Sequence, residues 1–576
     1  MPVITKRWEV APPIPADASV ELGSYPAVLR QILYNRGYRT REQATTFLEA
    51  QPPPGTDVNR LYGLKEAVDR IKSAIQTHEK IIVYGDYDAD GVTATALLVL
   101  ALRSLGAKVA GKPRDRASMN VRGYIPNRFD EGYGLNIEAL RHLHNIGTKL
   151  IITVDCGIRS WKEAKYARSM GIDLIITDHH TPLDDLPTAY AVINPKQTKD
   201  NYPEKNLAGV GVAYKLVEAL FTSYKKNRSP GEYLDLVALG TVADMVPLTG
   251  ENRTLVRAGM EYIRNPQRQG IMALLGVSGI SPSRASTTDI SFAFAPRLNA
   301  SGRLESAMAS LKLLTSEDIK VCGQLAQWLE IQNRERQKVM RDIQTKAEAK
   351  VIIDDQIPLL LFAADPEYNA GVVGLAASKL TDQYYRPSII ATIGPKFTRG
   401  SCRSIPEFHI TQALDRCKDL LEHHGGHAAA AGFTVRNELL SSLVEKMNEI
   451  ASEELSEKDL RPKITAEAEI PLSELKPGLL KDLDRLQPTG MGNPVPIFTS
   501  AGLKVTRQKA IGADGTHLKL TVTDGKITYD AIAFRQGHWI ARLPHVIDLM
   551  YTFELNEFNG QESLQLNVKD IRPSKS

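Results

Sequence analysis

From Lys80 onward, short uninterrupted apolar runs alternate with longer stretches whose apolar residues recur every three or four positions. KIIVYGD, KLIITVD, DLIITD and AYAVINP are the runs, each closing on turn residues. Helical stretches such as TATALLVLALRSLG and IRSWKEAKYARSMG lie between them. Continuous apolar runs read as strands buried on both faces, and their alternation with helices predicts an α/β domain with a doubly wound parallel sheet. Ahead of it, 1–75 opens Pro-rich and then takes helical spacing in AVLRQILYNRG and REQATTFLEA, interrupted by PPPG. After it comes a mainly helical region that closes on a long charged helix, SEDIKVCGQLAQWLEIQNRERQKVMRDIQTKAEAKVI, far longer than average and expected as a spacer between lobes. PLLLFAAD, PSIIATIG and a Gly/His-rich segment predict a second α/β domain. In the tail, GLKVTRQKAIGADGTHLKLTVTDGKITYDAIAF alternates with period two around two Asp-Gly turns, which predicts a small all-β barrel or sandwich. The expected bounds are 1–75 for the N-terminal helical segment, 76–310 for the first α/β domain, 311–352 for the linking helix, 353–460 for the second α/β domain and 461–576 for the all-β domain.

Composition narrows this picture only slightly. With 576 residues, 43% of them hydrophobic, there is material for several cores. A net charge of +4 neither demands nor excludes a polyanionic partner, since a local basic groove decides that. The four cysteines are scattered with no CxxC pair, which argues against a disulfide framework or a thiolate zinc site and suits a reducing cytoplasm. No signal region stands at the N-terminus, and a membrane span is not expected.

The chemistry is concentrated at the ends of the predicted strands. The first strand runs into Asp86-Tyr-Asp88-Ala-Asp90-Gly91, three carboxylates at alternate positions whose mutual repulsion a divalent cation would offset. Taken alone, the segment reads equally as a solvated acidic turn. It overlaps the start of a calcium loop, but Leu97 stands at the twelfth position and a helix follows at once, which excludes an EF-hand. The pattern recurs: Asp155 and the trio Asp178-His179-His180 also end apolar strands, where open α/β sheets bind ligands, and Asp244 lies in the apolar LVALGTVADMVPL. A carboxylate-rich set with imidazole and no thiolate suits Mn²⁺ or Mg²⁺ better than zinc. Two ions sharing a carboxylate fit metal-assisted phosphodiester hydrolysis.

GDYDADG, VDCG, TDHH and GTVADMVPL, in this order, resemble the four motifs of the DHH phosphoesterases. VRGYIPNRFDEGYG, FAPRLNASGR, NAGVVGLAASKL, GSCRS, HHGGHAAAAGF and PTGMGNPVPIF narrow the resemblance to the exonuclease branch specific for single-stranded DNA, from about residue 25 to the end. The resemblance implies a DHH domain, a long linking helix, a DHHA1 domain and a C-terminal OB-fold. It also implies 5′→3′ hydrolysis of single-stranded DNA to nucleoside 5′-monophosphates with two Mn²⁺ or Mg²⁺ ions, in DNA repair and recombination. Asp88, Asp90, Asp155, His179 and Asp244 match the metal positions, with Asp155 expected to bridge. Asp86 and His180 match supporting catalytic positions, His180 facing the scissile phosphate. Arg128, Ser401 and Arg403 are similar to the family's 5′-phosphate pocket, and guanidinium forks suit a phosphate. Gly425, Gly426 and His427 resemble the DHHA1 glycine motif, which otherwise reads as a turn ending a helix. Arg297, Asn299 and Arg303 are expected along the DNA path, with a capping loop as the other reading of Asn299. Tyr529, Phe534, Arg535, Tyr551 and Phe553 could stack bases or fill the barrel. GKPRDRASMNV, with Lys112, Arg114, Arg116 and the nearby Arg122, is longer than the family pattern at that place.

The partners implied are single-stranded DNA, a single-strand binding protein and a RecQ-type helicase, with the chain a cytoplasmic monomer. Two other functions compete. A DHH phosphodiesterase for short oligoribonucleotides or cyclic dinucleotides would lack the OB-fold and the GMGNPVPIF region. A catalytically inactive DNA-binding scaffold would have eroded acidic motifs.

Overall fold

The computed structural model describes residues 5–106, 120–127, 134–225, 230–304, 306–354, 356–558 and 561–574. They form two units, one of Val10–Glu330 with Thr465–Ser576, the other of Met1–Glu9 with Ile331–Ile464. The chain crosses between them at 9/10, at 330/331 and at 464/465, the second crossing within helix Ile319–Val351. Arg128 and the insertion residues Lys112, Arg114 and Arg116 lie outside the described residues.

The first unit holds the predicted parallel sheet: β1 (Lys80–Tyr84), β2 (Val121–Tyr124), β3 (Thr148–Val154), β4 (Asp173–Thr177) and β5 (Ala191–Ile193), in the order β2-β1-β3-β4-β5. Every neighbouring pair is parallel, so all carboxyl ends share one edge. Side chains alternate between faces along a strand, and the two faces fill separate cores. Ile81, Val83, Leu150, Ile152, Ile175 and Ile193 pack with helices α1 (Ala89–Gly106), α2 (Gly209–Ser223) and α3 (Leu234–Ala243). Ile82, Tyr84, Ile151, Leu174 and Ile176 pack with helices Ile137–Asn145 and Trp161–Ser169 on the other side. Each fully buried Ile contributes about 1.5–3 kcal/mol. Helix α1 is apolar on every side because it is enclosed on every side. By length and composition it could cross a bilayer, against the expectation that no segment would, yet 78% of it is buried inside the protein.

The tail closes into a five-stranded barrel: Phe498–Ile511, His517–Thr523, Thr528–Ala533, Gln561–Pro573 and Val546–Phe558, the last pairing back onto the first. This is the expected OB-type architecture. Its core is shared: Leu22, Leu29, Ile32, Leu33, Phe47 and Leu48 of the N-terminal helices pack into the same cluster as Leu503, Leu518, Leu549 and Phe553. Arg253, on helix Gly250–Arg264, joins three parts of this unit. It is 1% exposed. Its guanidinium donates to the carbonyls of Phe47 (2.7 Å), Leu486 (2.8 Å), Pro488 (3.1 Å), Arg485 (3.0 Å) and Gln487 (2.7 Å). Burial, with Arg257 next, lowers its pKa to about 10.

The second unit is a mixed five-stranded sheet: Leu421–His427, Ala430–Arg436, Phe397–Arg403, Ser388–Ile393 and Leu361–Asp365 in spatial order. Only the last pair is parallel, so this α/β domain is not doubly wound like the first.

Candidate metal centre

The carboxyl edge of the first sheet gathers the acidic motifs. After β1, Asp88 caps α1, its Oδ1 accepting from Asp90 N (2.9 Å) and Gly91 N (3.0 Å). Asp90, in the first turn of that helix, accepts with both oxygens from Gly209 N (2.6 Å) and Val210 N (2.8 Å) at the start of α2. A carboxylate at a helix N-terminus is electrostatically favoured, so the fold itself holds Asp90 in place. Asp155, directly after β3, has φ +60, a left-handed conformation uncommon outside glycine. The helix start approaches so closely that a Cβ at Gly209 would lie 2.7 Å from Asp155 Cβ and 2.8 Å from its Oδ1. Asp244 ends α3.

Asp178-His179-His180 divides into three roles. Asp178 turns inward and accepts from Ile158 N (2.9 Å), His179 N (2.7 Å), His180 N (3.0 Å) and His180 Nδ1 (2.8 Å). Burial pushes its pKa up, but the bonds from His180 and these backbone amides outweigh that and leave it lowered. His179 Nε2 lies 3.1 Å from Asp155 Oδ1 and 3.7 Å from Asp244 Oδ2. Burial and then His180 lower its pKa to about 3, so its imidazole is neutral, as a ligand must be. His180 is 44% exposed at its side chain, with Nδ1 on Asp178. Burial lowers its pKa, the Asp178 bond more than reverses that, and the net shift is upward.

Three sets of ligand atoms lie within 4.8 Å of one another: Asp155, His179 and His180; Asp90, His179 and Asp244; Asp86, Asp88 and Asp155. Asp155 and His179 each belong to two sets. Asp155 Oδ1 and His179 Nε2 are buried and make no hydrogen bond among the described residues. An all-oxygen and imidazole set with orphaned buried donors fits a pair of hard divalent cations. The predicted residues Asp86, Asp88, Asp90, Asp155, His179, His180 and Asp244 are thus brought together. Asp178 was missing from that set because its role is to hold His180, which an inward-facing turn reveals and a motif does not.

Crowding shows in the proton affinities. Asp90 is pushed up to about 7 by burial and then Asp88, and Asp244 to about 9 by burial, Asp90 and Asp88; burial and Asp90 raise Asp155 as well. Between the ordinary carboxylate value of 3.8 and these raised ones, the metal-free native protein holds protons that the unfolded chain has released. The contribution of these groups to metal-free stability therefore falls as pH rises through that window. Divalent ions held by these carboxylates would compete with the same protons and would reverse the trend. The melting-temperature increase on adding Mn²⁺ should grow between about pH 5 and pH 8, and Asp244→Asn should flatten it. A Mn²⁺ shift equal at both pH values in the wild type would exclude this coupling.

In the second unit, Ser401 and Arg403 lie on one strand and meet the first turn of helix Val373–Tyr384. A Cβ at Gly374 would lie 3.2 Å from Arg403 Nη2 and 3.4 Å from Ser401 Oγ. Gly425, Gly426 and His427 are in a strand and do not end a helix. They align across Gly432, Ala431 and Ala430 with Ser401, Cys402 and Arg403, so both motifs occupy one patch of sheet. Gly426 is required by its neighbours, since a Cβ there would lie 2.3 Å from Ala430 O, whereas Gly425 faces open space.

Back in the first unit, Arg297, Asn299 and Arg303 share helix Ala295–Leu304, so Asn299 is inside a helix and not in a capping loop. Arg297 pairs with Glu330 (2.7 Å), and Asn299 Oδ1 is buried without a hydrogen bond among the described residues. The helix abuts the acidic loop: a Cβ at Gly302 would lie 2.8 Å from Tyr87 O. Of the barrel aromatics, Tyr551 and Phe553 are core and Tyr529 is half-buried. Phe534 is 54% exposed, next to the exposed Arg535.

Family models fall on these parts in order: the DHH family N-terminal domain over 80–241, the DHHA1 domain over 356–453 and the RecJ OB domain over 466–570. Together with the site they define a DHH-class phosphoesterase. The chain is 38% identical to the single-stranded-DNA-specific exonuclease RecJ of Bacillus subtilis (strain 168), over 99% of this chain and 71% of that protein. It is 36% identical to the Escherichia coli (strain K12) protein of the same name, over 97% of each. The crystal structure of RecJ in complex with Mn²⁺ from Thermus thermophilus matches with a TM-score of 0.84 at 28% identity, over 99% of this chain and 80% of that one. The chain belongs to the RecJ family.

Proposed function

We propose that this protein is a metal-dependent exonuclease specific for single-stranded DNA, degrading it from the 5′ end to nucleoside 5′-monophosphates in repair and recombination. The observation that carries this is the cluster of orphaned buried ligand atoms, Asp155 Oδ1 and His179 Nε2, amid four further carboxylates on a sheet of the family that acts on single strands. Asp88, Asp90, Asp155, His179 and Asp244 would hold two ions, Mn²⁺ or Mg²⁺, with Asp86 in support. Such ions supply Lewis acidity at a phosphoryl oxygen and activate water. Asp178 orients the His180 ring through Nδ1, and that ring would meet the scissile phosphate and hold a proton for the departing 3′ oxygen. Arg403 and Ser401 would receive the 5′-phosphate beside the N-terminal, positive end of helix Val373–Tyr384, which their strand meets. Arg297, Asn299 and Arg303 are proposed along the strand's path, and Gly425–His427 as a close backbone approach. A single-strand binding protein and a RecQ-type helicase are proposed as partners, with a cytoplasmic monomer, on the resemblance alone.

The test uses Mn²⁺ and a single-stranded oligonucleotide labelled at either end. Labelled mononucleotide should appear at once from the 5′ label and only late from the 3′ label. Arg403→Ala should abolish any advantage of a 5′-phosphate, about tenfold or more for a charge-assisted bond. Early release from the 3′ label would overturn the polarity. Faster cleavage of dinucleotides than of long strands would overturn the substrate.

A further inference from the structure

One cation beside the metal centre takes no part in the roles assigned above. Lys196 follows β5, the strand next to the one carrying Asp178-His179-His180. Its turn is rigidly held. Buried Asn194 accepts from Lys196 N (2.8 Å) and donates to His180 O (2.9 Å). Gln197 donates to Val192 O (3.0 Å), and Lys205 Nζ donates to Pro195 O (2.6 Å). Asp178 N in turn bonds Ile193 O (3.1 Å), which ties the two strand ends together.

The Lys196 ammonium is half-buried and lies within electrostatic reach of Asp244 and Asp178. Among the described residues it forms neither an ion pair nor a side-chain hydrogen bond. An ammonium has three donors, and leaving them unmet in a half-buried place is costly. A lysine whose only task was to neutralise the acidic cluster would close onto one of its carboxylates, as Lys215 closes onto Glu218 at 2.7 Å elsewhere in this unit. Here the residue follows a strand end on the same carboxyl edge as the half-exposed ring of His180, and no carboxylate among the described residues claims its ammonium.

We infer that Lys196 is a substrate-contacting residue whose ammonium donates to a non-bridging oxygen of the scissile phosphodiester. The inference rests on the exonuclease reading above. Charge on those oxygens shifts as the bond to the 3′ oxygen breaks, and a fixed cation there favours the transition state over the bound strand.

Full-length wild type, Lys196→Met, Lys196→Gln and Lys196→Arg are compared on one oligonucleotide at saturating Mn²⁺. Single-turnover rate and KM are measured separately, and Mn²⁺ affinity is titrated without DNA. Lys196→Met should lower the single-turnover rate roughly 10- to 100-fold, the loss of one charge-assisted hydrogen bond. KM should change little, and Mn²⁺ should bind equally well or more tightly. Lys196→Gln should show the same loss if the methionine variant does not fold, and Lys196→Arg should recover most of the rate. A wild-type rate in the methionine or glutamine variant would overturn the inference. So would a loss that vanishes on raising Mn²⁺, which would give Lys196 a part in holding the ions. An inactive wild type would instead sink the exonuclease reading, and this inference with it.

Discussion

Asp155→Asn should reduce hydrolysis of single strands roughly a thousandfold while leaving the protein folded. Lewis-acid stabilisation is worth several kcal/mol, and about 4 kcal/mol corresponds to that factor. Among the described residues Asp155 is the one carboxylate that belongs to two of the three candidate ligand sets, which is why it is the proposed shared ligand. Asparagine is the informative substitution. It tolerates the left-handed backbone at φ +60, so the change removes charge without adding strain. It also fits beside Gly209, where a Cβ would meet Asp155 itself. Metal-free stability should be unchanged or slightly higher, since one of several repelling carboxylates is gone, and the Mn²⁺-induced rise in melting temperature should largely disappear. Activity within tenfold of wild type together with a retained Mn²⁺ shift would remove Asp155 from the centre.

Arg253→Met should cost about 3–5 kcal/mol of stability without touching a ligand. Five carbonyls lose a charged donor, each unmet buried group costing about 1–3 kcal/mol. Asn493 Nδ2 still serves two of them, Leu486 O (2.8 Å) and Pro488 O (2.7 Å), which keeps the total below the simple sum. Methionine preserves volume but not the stacking of the guanidinium 4.0 Å over Phe47. Chemical denaturation should show a lower midpoint, and limited proteolysis should cut first near 485–493. An unfolding free energy within about 1 kcal/mol of wild type, by the same denaturation and about the error of one such comparison, would mean that these carbonyls find other donors.

The sheet and the clustered acids at its edge were legible in the sequence for one reason: a strand buried on both faces reads as an unbroken apolar run, so the polar residue that ends it stands out. Asp155 and Asp178 are visible in that way. What a run cannot show is which way the residue after it turns. Asp178 looks like a ligand and is a brace, because the amides of Ile158 and His179 claim its oxygens. Lys196 does not stand out because a single lysine three residues beyond a strand has no pattern. The first helices gave their period but not their partner, since helical spacing reports a buried face and not what buries it. Leu29 and Phe47 pack against a barrel more than four hundred residues away in sequence. Arg253 is charged, and no rule of composition places a charge at the centre of an interface.

That interface bears on how this protein could be taken apart. PTGMGNPVPIF looks like the opening of the barrel, but Met491 O receives Leu248 N at 2.7 Å, and Gly492 leaves only 3.0 Å between a Cβ and Pro247. Both partners lie a few residues beyond Asp244, and Thr489 O is held by Thr287 (2.7 Å). The segment before Phe498 therefore packs with the domain that carries Asp244, whatever its place in the chain. A barrel borrowed from a relative should be spliced at Phe498, with 465–497 and the N-terminal helices kept from one parent. A graft at 465 would exchange the support of the Asp244 loop along with the barrel, and its loss of activity would say nothing about DNA.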